Sequence, residues 1–279
     1  MAFFDSASRE HLLYLQHMCS DSEKTIVMKF GGASLATPAQ FDFVADLILK
    51  KKELYPRAVI VVSAMGKTTD DLIQLATQVN PSPPQREYDM LLSVGERISM
   101  SLLAMAIAKK NARALSFTGS QSGIITTPEH TEAKIIDVRP KRILESLQMN
   151  QITIVAGFQG VSKTNEITTL GRGGSDTTAV ALAIALKAEK VEFYKDVPGI
   201  FSEDPKKNPS ATLYTTMSYD HAISLTSTGA KILHNRSLVL AKKNSMPLHV
   251  LSFKDEYQGY QGTIIESDTK PLTQPIFEV

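Results

Sequence analysis

The sequence predicts an α/β protein built on a mostly parallel sheet with helices on both faces. Two patterns carry that expectation. Short apolar runs of strand type alternate with helical patterns along most of the 279 residues, the order that joins parallel strands by crossover helices. Glycine-containing turns follow several of those runs, at Gly31-Gly32, Gly66 and Gly157, which places candidate ligand loops at the carboxyl ends of the strands.

Bulk properties bound the function. Hydrophobic residues are 43% and charged residues 21%, the balance of an ordinary globular protein. A net charge of +1 gives no electrostatic footprint for nucleic acid. The single cysteine, Cys19, allows no internal disulfide and suits a reducing compartment. No apolar run reaches spanning length, and no basic segment precedes an apolar one at the N-terminus. A cytoplasmic enzyme with no membrane partner is the expectation.

Residues 1–24 read as an extension with a short amphipathic helix at Glu10 to Met18. Thr25 to Phe30 is a buried strand, and Pro38 opens a helix that runs to about Glu53. Lys29 has two readings: a strand-end lysine snorkelling to water, or a cation aimed across Gly31-Gly32 at a phosphate. Arg57 to Val62 is the second strand. The Gly66-Lys67-Thr68 beyond it is no P-loop, because Val61 stands where the first glycine belongs. Ser63 to Asp71 either caps the next helix, which ends near Val79, or lines a ligand site. Prolines mark Asn80 to Gln85 as a loop. Glu87 to Lys110 is one long helix, softly broken at Gly95; Glu96 within it either faces water or meets a ligand ammonium.

Ala112 to Phe117 is a strand, Glu129 to Asp137 a polar exposed stretch, and Arg139 to Gln148 a helix. Ile152 to Ala156 enters the central motif, with a hairpin at Ser162 to Thr168 turning on Thr164-Asn165. Gly171, Gly173 and Gly174 with Arg172 precede a helix that starts at Ser175 or Asp176. Such a turn can simply be a capped helix start. Three glycines and an arginine point further, to an anion held at a helix N-terminus. A dinucleotide fingerprint fails, since Asp176 stands at its third glycine. After strand Val191 to Tyr194, Asp196 and Asp204 flank a Pro-Gly turn: either turn chemistry or a nucleotide pocket. Ser218 to Leu225 is a helix. Gly229 to His234 opens another, with Lys231 in its first turn. Leu248 to Phe253 is the last core strand, Gly262 to Glu266 an edge strand, and 267–279 a loosely held tail.

Seven segments occur in the order seen in aspartate kinases, within the amino-acid kinase family. They are Lys29-Phe30-Gly31-Gly32, Ser63-Ala64-Met65-Gly66, Val94-Gly95-Glu96, Gly157-Phe158, Thr169 to Asp176, Lys195 to Gly199 and Gly229 to His234. The resemblance covers about residues 25 to 265. It implies an α/β/α sandwich, a catalytic domain over 25–266, ATP with Mg²⁺, and phosphorylation of the side-chain carboxylate of L-aspartate. That reaction opens the route to lysine, diaminopimelate, threonine and methionine. Lys29, Asp176 and Lys231 would be catalytic, the lysines serving the transferring phosphoryl group. Glu96 would take the substrate ammonium and Arg172 its α-carboxylate, with Thr69, Phe158, Ser175 and Asp176 completing the pocket. Gly31, Gly32, Lys195, Asp196, Phe201, Asp204 and Lys206 would line the nucleotide site. Ala33 stands where threonine is usual, and Phe201 and Lys206 where tyrosine and arginine are common.

The residue inventory agrees with this chemistry. A free aspartate carboxylate is ionised at neutral pH and attacks phosphorus without a protein base; catalysis then rests on positioning and charge neutralisation. Two further readings are a kinase for another amino acid and a non-catalytic sensor. The resemblance also implies a homo-oligomer or a separate regulatory chain. The tail after Glu266 is too short for an ACT regulatory domain, so insensitivity to lysine and threonine is expected.

Overall fold

The computed structural model describes residues 24–203, 208, 210–227, 233–257, 259–267, 272 and 274–279. The Glu10 to Met18 helix, Asp204, Lys206 and Lys231 lie outside the described residues.

Strand β1 (Thr25–Phe30) leads into helix α1 (Pro38–Lys52). A capping box closes the start of α1, with the Thr37 N–H donating to Gln40 Oε1 at 2.9 Å. Three lysines, Lys50 to Lys52, fill its last turn, where the helix dipole favours cations. Strand β2 (Arg57–Val62) is followed by α2 (Thr68–Val79), α3 (Gln85–Leu92) and α4 (Val94–Lys109). The expected single helix breaks at Ser93 rather than Gly95. The Ser93 carbonyl accepts from Gln159 Nε2 at 2.8 Å, so the break is held from outside. The 25 residues from Gln85 to Lys109 are long and apolar enough to cross a bilayer, contrary to expectation. Their apolar side goes elsewhere: Met100, Leu103 and Ile107 are buried in the core.

Next come β3 (Ala114–Phe117), β4 (Ile124–Thr126), β5 (Ile135–Val138), α5 (Lys141–Gln148) and β6 (Ile152–Ala156). The expectation of an exposed Glu129 to Asp137 stretch is corrected here. Ala133 and Ile135 are fully buried, and β5 pairs antiparallel with β4. The polar residues around them masked the strand. The hairpin is present as β7 (Gln159–Ser162) and β8 (Ile167–Thr169), with Asn165 at positive φ in its turn.

Helix α6 (Gly174–Leu186) starts one residue earlier than expected, and nearly all its residues are buried. A helix apolar all round belongs inside. Then come β9 (Val191–Lys195), the short β10 (Ile200–Phe201), β11 (Leu213–Tyr214) and β12 (Thr216–Met217), and α7 (Tyr219–Ser227). Helix α8 (Asn235–Asn244) starts after the Gly229 to His234 segment that was expected to open it. Strands β13 (Leu248–Ser252) and β14 (Thr263–Ile265) complete the described elements.

The main sheet has the order β12-β14-β13-β9-β1-β2-β6-β3. Its pairs are parallel except β13 with β14. β14 is an inner strand between β13 and β12, not the edge strand expected. Strand period two sorts the core into two faces. Ile26, Met28, Phe30, Ile60, Val62 and Ile154 pack with α1 and α4. Val27, Val59, Val61, Val155 and Phe193 face α6 and α8. This is the three-layer α/β/α arrangement. A second sheet, β5-β4-β7-β8, stands beside it. Parallel register aligns Phe30 with Val62 and Tyr194, and Val62 with Ala156, so the loops after these strands gather at one end. The described end of the tail, 274–279, is held: Asn244 Nδ2 donates to the Ile276 carbonyl at 2.8 Å, and the Glu278 N–H donates to the Ile135 carbonyl at 3.0 Å.

Candidate active site

A cleft of about 590 Å³ opens at that end. Its lining includes Lys29, Gly32, Thr69, Glu96, Phe158, Arg172, Ser175 and Asp176. Sequence separations of more than a hundred residues are thus closed into one site.

Lys29 shares the Val27 face of β1 and therefore points at α6. Its Nζ lies 2.6 Å from Asp176 Oδ1 in the first turn of that helix, and both side chains are buried. Lys195, at the end of β9, brings its Nζ to 3.9 Å from Asp176 Oδ2. The His234 N–H donates to the same oxygen at 3.4 Å. Burial pushes the Asp176 carboxyl up, but the charges of Lys29 and Lys195 outweigh it and leave the group at about 2. Burial pulls the Lys195 ammonium down despite Asp176, with Lys29 adding to the fall. Two cations and one anion leave this wall of the cleft with a surplus positive charge, a setting for phosphate oxygens.

The turn before α6 brings the helix close. Gly173 has φ +74°, and a Cβ there would fall 2.0 Å from His234 Cγ. Only glycine satisfies both demands. Phe158 holds φ +69°, unusual for an aromatic residue. It is pinned on both sides: its N–H donates to Thr178 Oγ1 at 3.2 Å, and its carbonyl accepts from the Leu170 N–H at 2.9 Å. Such held conformations cluster at functional sites.

Another wall of the cleft is built on α4. A Cβ on Gly95 would lie 2.8 Å from Ala64 Cβ, so glycine lets the helix start approach the loop after β2. Glu96 then accepts the Ala64 N–H at 3.1 Å through Oε1. Glu96 is 4% exposed, and its Oε2 is buried with no hydrogen-bond partner among the described residues. Burial raises its carboxyl to about 7, against its backbone hydrogen bonds and the charge of Lys29. A buried carboxylate oxygen on a cleft wall favours a cation from the ligand side. Arg172 lines the same cleft from the glycine turn and is exposed.

Other expected residues sit apart. Asp196 is exposed and Phe201 half-buried on β10; neither lines the cleft, and Lys195 reaches it through Asp176. Gly31 forms the turn directly beyond Lys29.

Sequence reasoning missed the roof. Asp89 in α3 is fully buried and accepts from the Thr131 N–H at 3.1 Å, the Thr169 N–H at 3.1 Å and Thr169 Oγ1 at 2.6 Å. His130 Nδ1 lies 2.7 Å away. Asp89 thereby fastens the 130–132 loop and β8 to α3, and Thr131, Glu132 and Thr169 join the lining. No local signal marked it, because an aspartate on a helix reads as a solvated residue.

The amino acid kinase family model matches residues 24–252. The chain belongs to the amino acid kinase family. The chain is 49% identical to the aspartokinase of Mycolicibacterium smegmatis over 88% of its length and 58% of that protein. Among solved structures it is similar to the aspartate kinase of Synechocystis, with 41% identity and a TM-score of 0.78 over 91% of this chain and 41% of that one. It is also similar to E. coli aspartokinase III in complex with aspartate and ADP, with 25% identity and a TM-score of 0.78 over 88% of this chain and 65% of that one. The chain spans about three-fifths of the length of the curated relatives it matches.

Proposed function

We propose that this chain transfers the γ-phosphoryl group of MgATP to the side-chain carboxylate of L-aspartate, giving 4-phospho-L-aspartate. The observation that carries the reading is the polarity of one cleft. Cations cluster with Asp176 on one wall, and a buried carboxylate with one unpartnered oxygen stands on another. An α-amino acid with an acidic side chain matches both. Its ammonium pairs with Glu96 Oε2, its α-carboxylate with Arg172, and its second carboxylate points towards Lys29. Thr69, Phe158 and Ser175 fill the walls between.

In the transfer, a side-chain carboxylate oxygen attacks the γ-phosphorus as the bond to the bridging oxygen of ADP breaks. No proton has to move, because the nucleophile is already ionised. Lys29 neutralises charge on the moving group, and Asp176 fixes where its ammonium stands. Lys195, with Lys231, Gly31, Gly32, Asp196, Phe201, Asp204 and Lys206, belongs to the nucleotide side of this reading. Mg²⁺ arrives on the phosphates, the usual way for an ion that keeps several of its waters. The similarity to a protein crystallised with aspartate and ADP supports the same pair of ligands. The single cysteine suits a cytoplasmic setting.

The test is ATP-dependent acyl-phosphate formation from aspartate or glutamate, trapped with hydroxylamine, beside ADP release with UMP, whose phosphorylation gives no acyl phosphate to trap. Hydroxamate with aspartate and little with glutamate supports the reading. Turnover of UMP or glutamate instead assigns another branch of the family, and nucleotide binding without turnover assigns a sensor.

A further inference from the structure

Arg236, in the first turn of α8, touches neither the cleft nor any group assigned above. It is half-buried, with its side chain 19% exposed, and four of its five guanidinium N–H groups are engaged. Nη1 donates to the Leu170 carbonyl, and Nη2 donates to the Ala133 carbonyl at 2.5 Å. Nε and Nη2 also form a two-pronged pair with the Glu278 carboxylate, Nη2 at 2.7 Å from Oε2. Glu278 comes from the tail. Its Oε2 also accepts the Ile135 N–H at 2.7 Å, and Phe277 beside it packs on the core.

The two carbonyls matter because each adjoins a wall of the cleft in sequence. Leu170 comes directly before Gly171-Arg172, and Ala133 directly after Glu132. Gly171, Arg172 and Glu132 all line the cleft. The Glu132 carboxylate lies 2.8 Å from where a Cβ on Gly171 would stand, so the two walls meet there. One planar guanidinium therefore ties both walls together, and the tail carboxylate fixes that guanidinium in a plane.

We propose that Arg236, clamped by Glu278, is a positioning residue that sets the glycine turn carrying Arg172 against the Glu132 loop, and so sets the affinity for the amino-acid substrate. The naming of that substrate rests on the aspartate reading above; the clamp itself does not. A lysine at 236 keeps the charge but cannot bridge two carbonyls and a carboxylate at once.

Arg236→Lys and Glu278→Gln are made in the 279-residue chain, and both are checked for a cooperative melt. Amide hydrogen exchange at 170–174 and 132–135 is expected to speed up by about tenfold or more, the scale of one lost charge-assisted hydrogen bond. The KM for aspartate is expected to rise by a similar factor, with the KM for ATP within about twofold and kcat nearly kept. Glu278→Asp, which keeps the charge on a shorter arm, should fall between wild type and Glu278→Gln. Should Arg236→Lys fail to fold, Glu278→Gln carries the test, since it leaves Arg236 and both carbonyls in place. Unchanged exchange at 170–174 would overturn the clamp, as would a parallel rise of both KM values. If the wild-type chain makes no acyl phosphate from aspartate, the substrate reading fails, while the exchange measurement still decides the clamp.

Discussion

Two walls of the cleft hold buried carboxylates that differ in one respect. Asp176 faces Lys29 at 2.6 Å and Lys195 at 3.9 Å, and its carboxyl lies at about 2. Glu96 is buried as deeply, spends one oxygen on the Ala64 N–H, leaves the other unpaired, and lies at about 7. Burial pushes both groups up; only the partners differ. A satisfied charge organises a site before ligand arrives, whereas an unsatisfied one holds back interaction energy until a cation comes. The Asp176 wall is thus built as machinery and the Glu96 wall as a recognition socket.

The sharpest way to break this contrast is to neutralise each carboxylate in turn. Asp176→Asn leaves Lys29 and Lys195 without their anion, and unfolding experiments at pH 7 should show a loss of about 3 kcal/mol or more. Lys29→Met should lower kcat by about 10²–10³ with little change in the KM for ATP, because it removes a charge used in transfer. A near-normal kcat would remove Lys29 from the chemistry. Glu96→Ala and Arg172→Ala should each raise the KM for aspartate about 10- to 100-fold and leave that for ATP nearly unchanged. An effect mainly on ATP would reassign the residue.

The smallest effect has the opposite sign. The Glu96 carboxyl titrates at about 7 in the fold against a reference of 4.5, so the folded state holds its proton more tightly than the unfolded chain. Stability therefore falls as pH rises from 4.5 to 7, and the whole penalty is present above 7. Glu96→Gln removes it and should stabilise the free protein by about 1–2 kcal/mol at pH 8, with the gain vanishing near pH 4.5. Denaturant unfolding at the two pH values reads the difference.

The socket and the machinery were not equally legible in the sequence. Lys29 stood out as a charge at the end of an apolar strand, and strand period two pointed it at the helix that Ser175 and Asp176 begin. Glu96 looked like any helix residue until the resemblance singled it out; Gly95 beside it carried the physical reason, a close approach to Ala64 that only the folded chain reveals. Asp89 was invisible, because its partners Thr131 and Thr169 are distant in sequence and hydrogen-bond through backbone as much as side chain. The strand at Ile135 was lost for a related cause. Its partners, strand β4 and the tail residue Glu278, supply the burial and hydrogen bonds that its polar neighbours conceal. Arg236 and Glu278 likewise acquire meaning only when the tail is seen to dock. Local pattern thus identified seven of the eight main-sheet strands, missing the short β12, and the glycine turns, while long-range polar contacts remained unread.

The most direct measurement compares aspartate with succinate, which has both carboxylates and no ammonium, across pH 6 to 8. An ammonium entering the Glu96 socket must displace its proton below pH 7. The account predicts that the KM for aspartate rises as pH falls below 7, approaching tenfold per unit, while the inhibition constant of succinate lacks this dependence and Glu96→Gln abolishes it for aspartate. A KM for aspartate that is flat from pH 6 to 8, or one that tracks succinate, would contradict the assignment of Glu96 as the seat of the substrate's ammonium.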